Sequence, residues 1–129
     1  MSYSVRFEHV SMAVNSIEEA LPLYTEMLGA KVMHQKMIGY RGDFYFMNMK
    51  LGDTMIELVE PAKDGPLKQF LAKRGQGMHH ISLEVNNLAE LIEKLEKGGY
   101  RVVEKFDGGT WKTAFISPRS ARGVLIQVW

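Results

Sequence analysis

The chain has 129 residues, of which 46% are hydrophobic and 24% charged, and its formal net charge at pH 7 is +1. This is typical of one globular domain with a real core; the charge balance excludes a basic nucleic-acid surface, and the lack of cysteine excludes disulfides and thiolate sites. Because no signal peptide or membrane span is visible, we expect a cytoplasmic protein without membrane contact.

The first half of the sequence predicts a strand, a helix and three further strands. Residues 5–14 alternate between two faces, as a strand does. Ser16 and Glu19 have the form of a capping box, which opens a helix that ends near Gly29. Pro22 removes a helical donor, which predicts an irregular first turn. Strands are then expected at 30–37, 43–51 and 54–59.

The second half repeats this order after a connecting segment. Residues 61–77 join the halves and include a short amphipathic helix at 66–74. A strand at 78–85 is followed by a helix that begins at Asn87 and stops at the glycine pair 98–99. Three strands are then expected at about 100–104, 111–117 and 123–129.

Both halves carry a histidine and a carboxylate or amide at matching positions. His9 falls on His80 at an offset of 71, together with the serine two residues further on, and Glu57 falls on Gln127 at an offset of 70. A repeat that returns polar side chains at equivalent points predicts a pseudo-twofold architecture with its site between the halves.

Strand alternation predicts that these four side chains share one face of the sheet. Each candidate points away from its apolar neighbours, as Glu57 does between Ile56 and Leu58. We therefore expect a cupped sheet with these residues on the concave face and the helices outside.

Polar groups inside such a cup need a partner, and two imidazoles, a carboxylate and an amide suit a divalent ion such as Co²⁺, Ni²⁺, Mn²⁺ or Zn²⁺. The predicted metal ligands are His9, Glu57, His80 and Gln127. His34 and His79 lack such repeat support, and we interpret both as structural.

Four segments, 7–14, 52–61, 65–81 and 114–127, carry a family resemblance that runs over nearly the whole chain. They resemble the vicinal oxygen chelate superfamily, and the run from Lys73 to His80 is most similar to methylmalonyl-CoA epimerases. The resemblance implies an α/β (α+β) fold of paired βαβββ modules in a cupped mixed sheet. It implies a single domain over 1–129, with module one at about 5–60, a linker at about 61–77 and module two at about 78–129. It also implies the same four metal ligands and a homodimer.

Two positions depart from the epimerase pattern. Gln127 stands where the family usually has a glutamate on the last strand. Epimerases also carry a glutamate in the loop that corresponds to Tyr40-Arg41-Gly42, where this chain has none, and Asp43 is the nearest substitute. Epimerisation normally takes two bases, one on each face of the α-carbon, and Glu57 is the one obvious base in this sequence.

The activity that the resemblance implies is metal-dependent α-proton transfer on a thioester such as methylmalonyl-CoA. Glu57 is the predicted catalytic residue, because a carboxylate can shuttle the α-proton while a cation stabilises the developing charge. Arg41, Lys112 and Arg119 are predicted to bind the carboxylate or phosphates of an acyl-CoA substrate.

Other functions of the same superfamily stay open at this point. A glyoxalase I-like lactoylglutathione lyase would differ mainly in its substrate. A metal-independent binding protein of the bleomycin-resistance type would sequester a small molecule in the cleft, although the paired histidines argue against it. A non-haem Fe(II) dioxygenase could use His9, Glu57 and His80 as a triad, but related dioxygenases usually place the carboxylate on the last strand, where Gln127 stands.

Overall fold

The computed structural model describes residues 2–129, which contain nine strands and three α-helices. The strands are β1 (Val5–Ala13), β2 (Lys31–Val32), β3 (Met37–Ile38), β4 (Phe44–Leu51), β5 (Thr54–Pro61), β6 (Gly77–Val85), β7 (Val102–Asp107), β8 (Lys112–Ile116) and β9 (Ile126–Val128). The helices are α1 (Ile17–Pro22), which continues into a π-helical turn at Leu23–Met27, α2 (Pro66–Arg74) and α3 (Leu88–Lys97). None of these helices is long and apolar enough to cross a lipid bilayer.

The described residues form two compact units, residues 9–79 and residues 2–8 with 80–129. The strand order is β2-β4-β5-β1 in the first unit, with β3 also paired to β4, and β1-β6-β9-β8-β7 in the second, which includes the first residues of β1. β1 pairs in parallel with β5, and β6 with β9, whereas β4–β5 and β8–β9 are antiparallel. The predicted α+β fold with a mixed sheet is confirmed. The second unit has the predicted strand and helix order, whereas four strands follow α1 in the first unit, because two short strands replace a predicted one.

Helix α1 begins at the residue that the sequence predicts as its cap. The Ser16 hydroxyl accepts a hydrogen bond from the backbone N–H of Glu19 at 3.2 Å, as in a capping box. Ile17 then enters the core of the first unit, where it packs with Met49 and Leu58 and is 1% exposed. The capping bond therefore starts the helix at the point where its first apolar side chain can be buried.

Proline disturbs this helix later than the sequence predicts. Pro22 has no N–H to donate to the carbonyl group four residues earlier, and it stands at the end of α1 rather than in an irregular first turn. The chain continues in π-helical geometry, in which the N–H of Leu28 donates to the carbonyl oxygen of Leu23 at 3.1 Å. The prediction of an irregular first turn is wrong, since the irregular turn follows the proline.

The two faces of β1 and β5 bury different helices. One face, which includes Met12 and Leu58, packs in the same core as α1. The opposite face buries Ala13 and Val59 against Leu67 of α2. Because residues two apart on a strand share a face, α2 covers part of the face that carries the candidate ligands of this unit. The expectation that all helices lie outside is therefore wrong for α2.

A histidine interrupts the strand predicted at 30–37, which is replaced by β2 and β3. The Nε2 atom of His34 accepts the backbone N–H of Asn48 on β4 at 3.2 Å. Its Nδ1 atom lies 2.7 Å from the carbonyl oxygen of Gln35, to which it donates in this tautomer. The imidazole thus accepts a backbone N–H of β4 that would otherwise donate to the backbone of a neighbouring strand. Strand pairing with β4 is therefore interrupted at His34.

The second unit follows its sequence prediction with shifted strand ends. Asn87 caps α3 by accepting the backbone N–H of Glu90 at 3.3 Å. The apolar side of α3 packs on a core of Val85, Ala114 and Val128. The last strand is shorter than the predicted 123–129, since the segment before it is a series of hydrogen-bonded turns at 117–124.

Candidate metal centre

The first unit places one imidazole and one carboxylate together. His9 lies on β1, where it is 7% exposed, and Glu57 lies on β5. The register pairs His9 with Met55 and Ser11 with Glu57, so the two candidate ligands are diagonal neighbours on one face. The Nε2 atom of His9 is 3.4 Å from the Oε1 atom of Glu57, and this half of the predicted site is assembled.

The second unit places His80 and Gln127 by the same register. His80 lies on β6 and is 8% exposed, and Gln127 lies on β9 and is 9% exposed. β6 and β9 pair Ser82 with Gln127, as β1 and β5 pair Ser11 with Glu57. The sequence repeat therefore corresponds to a repeat of hydrogen-bonding register. His80 also contacts Phe115, with a ring-centroid distance of 5.7 Å in an edge-to-face arrangement.

Two of the four predicted ligands, His9 and Glu57, form a pair within the first unit that could contribute to holding a metal ion. His80 of the second unit remains a predicted third ligand. Atoms that bind one ion at about 2.1 Å are separated from each other by roughly 3 to 4 Å, which the 3.4 Å distance between His9 and Glu57 fits. Two imidazoles and a carboxylate are also a chemically suitable donor set for a divalent transition metal.

The side-chain amide of Gln127 is oriented by a residue that the sequence analysis missed. Thr113 on β8 is 2% exposed, and its hydroxyl donates to the carbonyl oxygen of Val128 at 3.0 Å. A hydroxyl has one proton to donate, so it can only accept the bond from the Nε2 atom of Gln127, at 3.1 Å. The Oε1 atom of Gln127 is thereby turned away from Thr113, as a metal ligand requires. The role of Gln127 as the fourth ligand remains a prediction.

Known proteins share both the sequence pattern and the fold. The glyoxalase/bleomycin resistance protein/dioxygenase superfamily matches residues 8–115. The chain belongs to this superfamily. A Bacillus subtilis (strain 168) relative, uncharacterized protein YqjC, is 34% identical over 127 residues, which cover 95% of this chain and 90% of the relative.

A second relative carries the name of an enzyme. The human mitochondrial methylmalonyl-CoA epimerase is 33% identical over 129 aligned positions, covering 95% of this chain and 72% of the relative. Among solved structures, the crystal structure of hypothetical protein BH1468 from Bacillus halodurans C-125 matches with a TM-score of 0.87 and 32% identity, covering 97% and 93% of the two chains. The resemblance to the superfamily and to methylmalonyl-CoA epimerases is confirmed.

The basic residues predicted to bind substrate lie in three different places of this superfamily fold. Arg41 precedes β4, with its Nε atom 3.9 Å from a carboxylate oxygen of Asp43 and its guanidinium over the ring of Tyr40. Lys112 begins β8 and has a carboxylate neighbour at 3.7 Å. Arg119 is exposed in the turn after β8. Their substrate-binding role remains a prediction.

The two histidines outside the predicted ligand set contact neighbours in the first unit. His34 uses both ring nitrogens in hydrogen bonds to the backbone and packs edge-to-face on Phe46. The ring of His79 packs on Phe70 of α2, with 4.7 Å between the ring centroids. Both sets of contacts agree with the structural roles that the sequence predicts.

Asp43, the nearest substitute for the glutamate of the epimerase loop, lies just before β4 and away from Glu57 along the strands. The register pairs Phe44 with Pro61, so Asp43 lies beyond that pair, and its side chain lies beside Gly65 at the start of α2. Pro61 is four residues from Glu57, about 13 Å along a strand. Glu57 is therefore the carboxylate that the first unit brings to the candidate metal centre.

Proposed function

We propose that this protein is a divalent-metal-dependent enzyme of the epimerase/isomerase type. It transfers an α-proton next to a thioester carbonyl, and methylmalonyl-CoA is the first substrate to test. The observation that carries the proposal is the imidazole–carboxylate pair of His9 and Glu57, in a chain that is similar to methylmalonyl-CoA epimerases.

The proposed ligand set combines two imidazoles, one carboxylate and one amide. His9 and His80 would hold the ion through ring nitrogens and Glu57 through a carboxylate oxygen, and the Gln127 amide oxygen would be a further ligand. Co²⁺, Ni²⁺, Mn²⁺ and Zn²⁺ all suit these donors. When bound, a divalent ion supplies positive charge that favours loss of a proton from the carbon next to a carbonyl group. The single carboxylate contributes one negative charge and a divalent ion two positive charges. The occupied site would therefore have a net positive charge, which suits an anionic substrate.

We assign the proton transfer to Glu57, which acts as the base. Its strand neighbours Ile56 and Leu58 are buried in the core, so the backbone that carries the carboxylate is firmly packed. A carboxylate oxygen of Glu57 accepts the α-proton and returns it. Because Asp43 is remote, no second carboxylate is assigned to the opposite face of the carbon. Proton exchange with solvent is therefore expected to be faster than net epimerisation.

The substrate class follows from the named relative. An acyl-CoA presents a thioester together with phosphates, and Arg41, Lys112 and Arg119 are the proposed partners for its anionic groups. A glyoxalase I-like lyase would use the same ligands on a glutathione adduct, and a binding protein would need none of them. These alternatives give different results in one set of assays.

The experiment follows deuterium incorporation by mass spectrometry after the metal-loaded protein is incubated in D₂O with acyl-CoA thioesters. We expect exchange at the α-carbon of methylmalonyl-CoA, with at least a hundredfold lower rate in Glu57→Gln, since positioned general bases contribute about 10²–10⁴-fold. Thr54→Val, at the exposed start of the same strand, is the matched control and should exchange like wild type.

Two results would overturn the proposal. No exchange with any acyl-CoA, together with turnover of the glutathione–methylglyoxal adduct, would identify a lyase. No activity in either assay, together with tight binding of a small molecule by the metal-free protein, would identify a binding protein.

A further inference from the structure

Three polar side chains form one row across the strands of the first unit. Ser11 on β1 is the register partner of Glu57 on β5, and Glu57 is also the partner of Asn48 on β4. Residues directly opposite each other project from the same face, and neighbouring strands lie about 4.8 Å apart. The Glu57 carboxylate therefore has a hydroxyl on one side and a carboxamide on the other.

Both flanking residues contain a buried polar atom without a hydrogen bond. Ser11 is 0% exposed, and within residues 2–129 its Oγ atom has no partner. The Oδ1 atom of Asn48 is likewise buried and without a partner in the described chain. A buried polar group that is left unpaired is costly, so two of them beside one carboxylate indicate a function rather than a packing role.

The equivalent row of the second unit has no such atoms. Ser82 Oγ accepts a hydrogen bond from the indole N–H of Trp129 at 2.9 Å, and Gln127 is bonded to Thr113. The position of Asn48 is taken there by Phe115, the register partner of Gln127. Among the described residues, the register partners of Glu57 thus contain buried polar atoms without a hydrogen bond, whereas the register partners of Gln127 do not.

We infer that Ser11 and Asn48 are positioning residues that hold the Glu57 carboxylate in place for metal binding and proton transfer, an inference that rests on the proposed function. The Ser11 hydroxyl, which has no other partner in the part of the chain that the structure describes, would donate to one side of the carboxylate when that side turns toward it. The Asn48 carboxamide donates from the other side after a half-turn about its last bond, which brings its NH₂ group inward. The backbone of Asn48 is already fixed by its N–H bond to His34.

These two donors would give Glu57 a defined orientation that a bare carboxylate on a strand lacks. Groups that hydrogen-bond to a metal ligand fix its geometry, and their loss typically weakens metal binding 10- to 100-fold. The same contacts leave one carboxylate oxygen directed at the substrate. Loss of either donor is therefore expected to lower both metal affinity and kcat, with little change in KM.

The test is calorimetric titration of Co²⁺ into metal-free protein, combined with the thermal midpoint of the metal-free form. We expect Ser11→Ala and Asn48→Leu each to raise the Kd for Co²⁺ at least tenfold, without a lower melting temperature. Ser11→Thr, which keeps the hydroxyl, should restore the affinity. Ser82→Ala is the matched control: it should lower the melting temperature, because the Trp129 bond is lost, and leave the Kd within threefold of wild type.

The outcomes separate this inference from the proposed function. Wild-type affinity in both Ser11→Ala and Asn48→Leu, alongside loss of binding in His9→Ala, would overturn the inference and leave the metal site standing. Absence of Co²⁺ binding in wild type would overturn both. A Kd in Ser82→Ala that rises as much as in Ser11→Ala would also overturn the inference, since the effect would then be general.

Discussion

The Thr113–Gln127 pair gives a prediction whose size can be worked out from the structure. Thr113→Val keeps the volume of the side chain but removes the hydroxyl that bridges Gln127 to the carbonyl group of Val128. Each lost hydrogen bond is worth about 1 kcal/mol, and a buried amide that loses its partner costs more. We expect a loss of about 2 kcal/mol in the free energy of unfolding.

Thermal unfolding by calorimetry measures this loss. The entropy of unfolding for a chain of this length converts about 2 kcal/mol into a melting temperature lower by about 7 °C. Thr54→Val is the matched control, because its side chain is exposed at the start of β5, and surface changes usually stay within about 0.5 kcal/mol. Equal melting temperatures for Thr113→Val and Thr54→Val would refute the assigned hydrogen bonds, and with them the orientation of the Gln127 amide.

Three other predictions concern the scaffold. Leu58→Ala, at a 0% exposed core position, should lower the free energy of unfolding by about 2–5 kcal/mol in urea titrations, whereas Leu23→Ala, at a 56% exposed position, should cost far less. Ser16→Ala removes the cap that accepts the N–H of Glu19 and should cost about 1 kcal/mol; an unchanged urea midpoint would contradict this reading. Light scattering should give a homodimer, and a monomer at working concentration would contradict that proposal.

The part of the structure that the sequence predicts well is the part that repeats. His9 and His80 recur at one offset, and Glu57 and Gln127 at nearly the same one, because the two halves pair their strands in the same register. Strand alternation was enough to place these residues on the face opposite the cores that contain α1 and α3, since a pleated strand leaves only two directions for a side chain.

The features that the sequence did not predict depend on contacts between distant segments. His34 interrupts an edge strand only because Asn48, fourteen residues later, donates its N–H to the ring. Thr113 resembles any strand threonine until Gln127 is folded against it. The position of α2 on the ligand-bearing face depends on apolar pairing of Leu67 with Ala13 and Val59, which the amphipathic pattern of the helix alone does not reveal.

We propose that His9, Glu57 and His80 bind one divalent ion. Elemental analysis of protein reconstituted with Co²⁺ and passed through a desalting column tests it most directly. We predict one ion per chain in wild type and in His79→Ala, the neighbouring histidine that packs on Phe70, and less than a tenth of an ion in His9→Ala and in His80→Ala. Equal metal content in all four proteins would contradict the account.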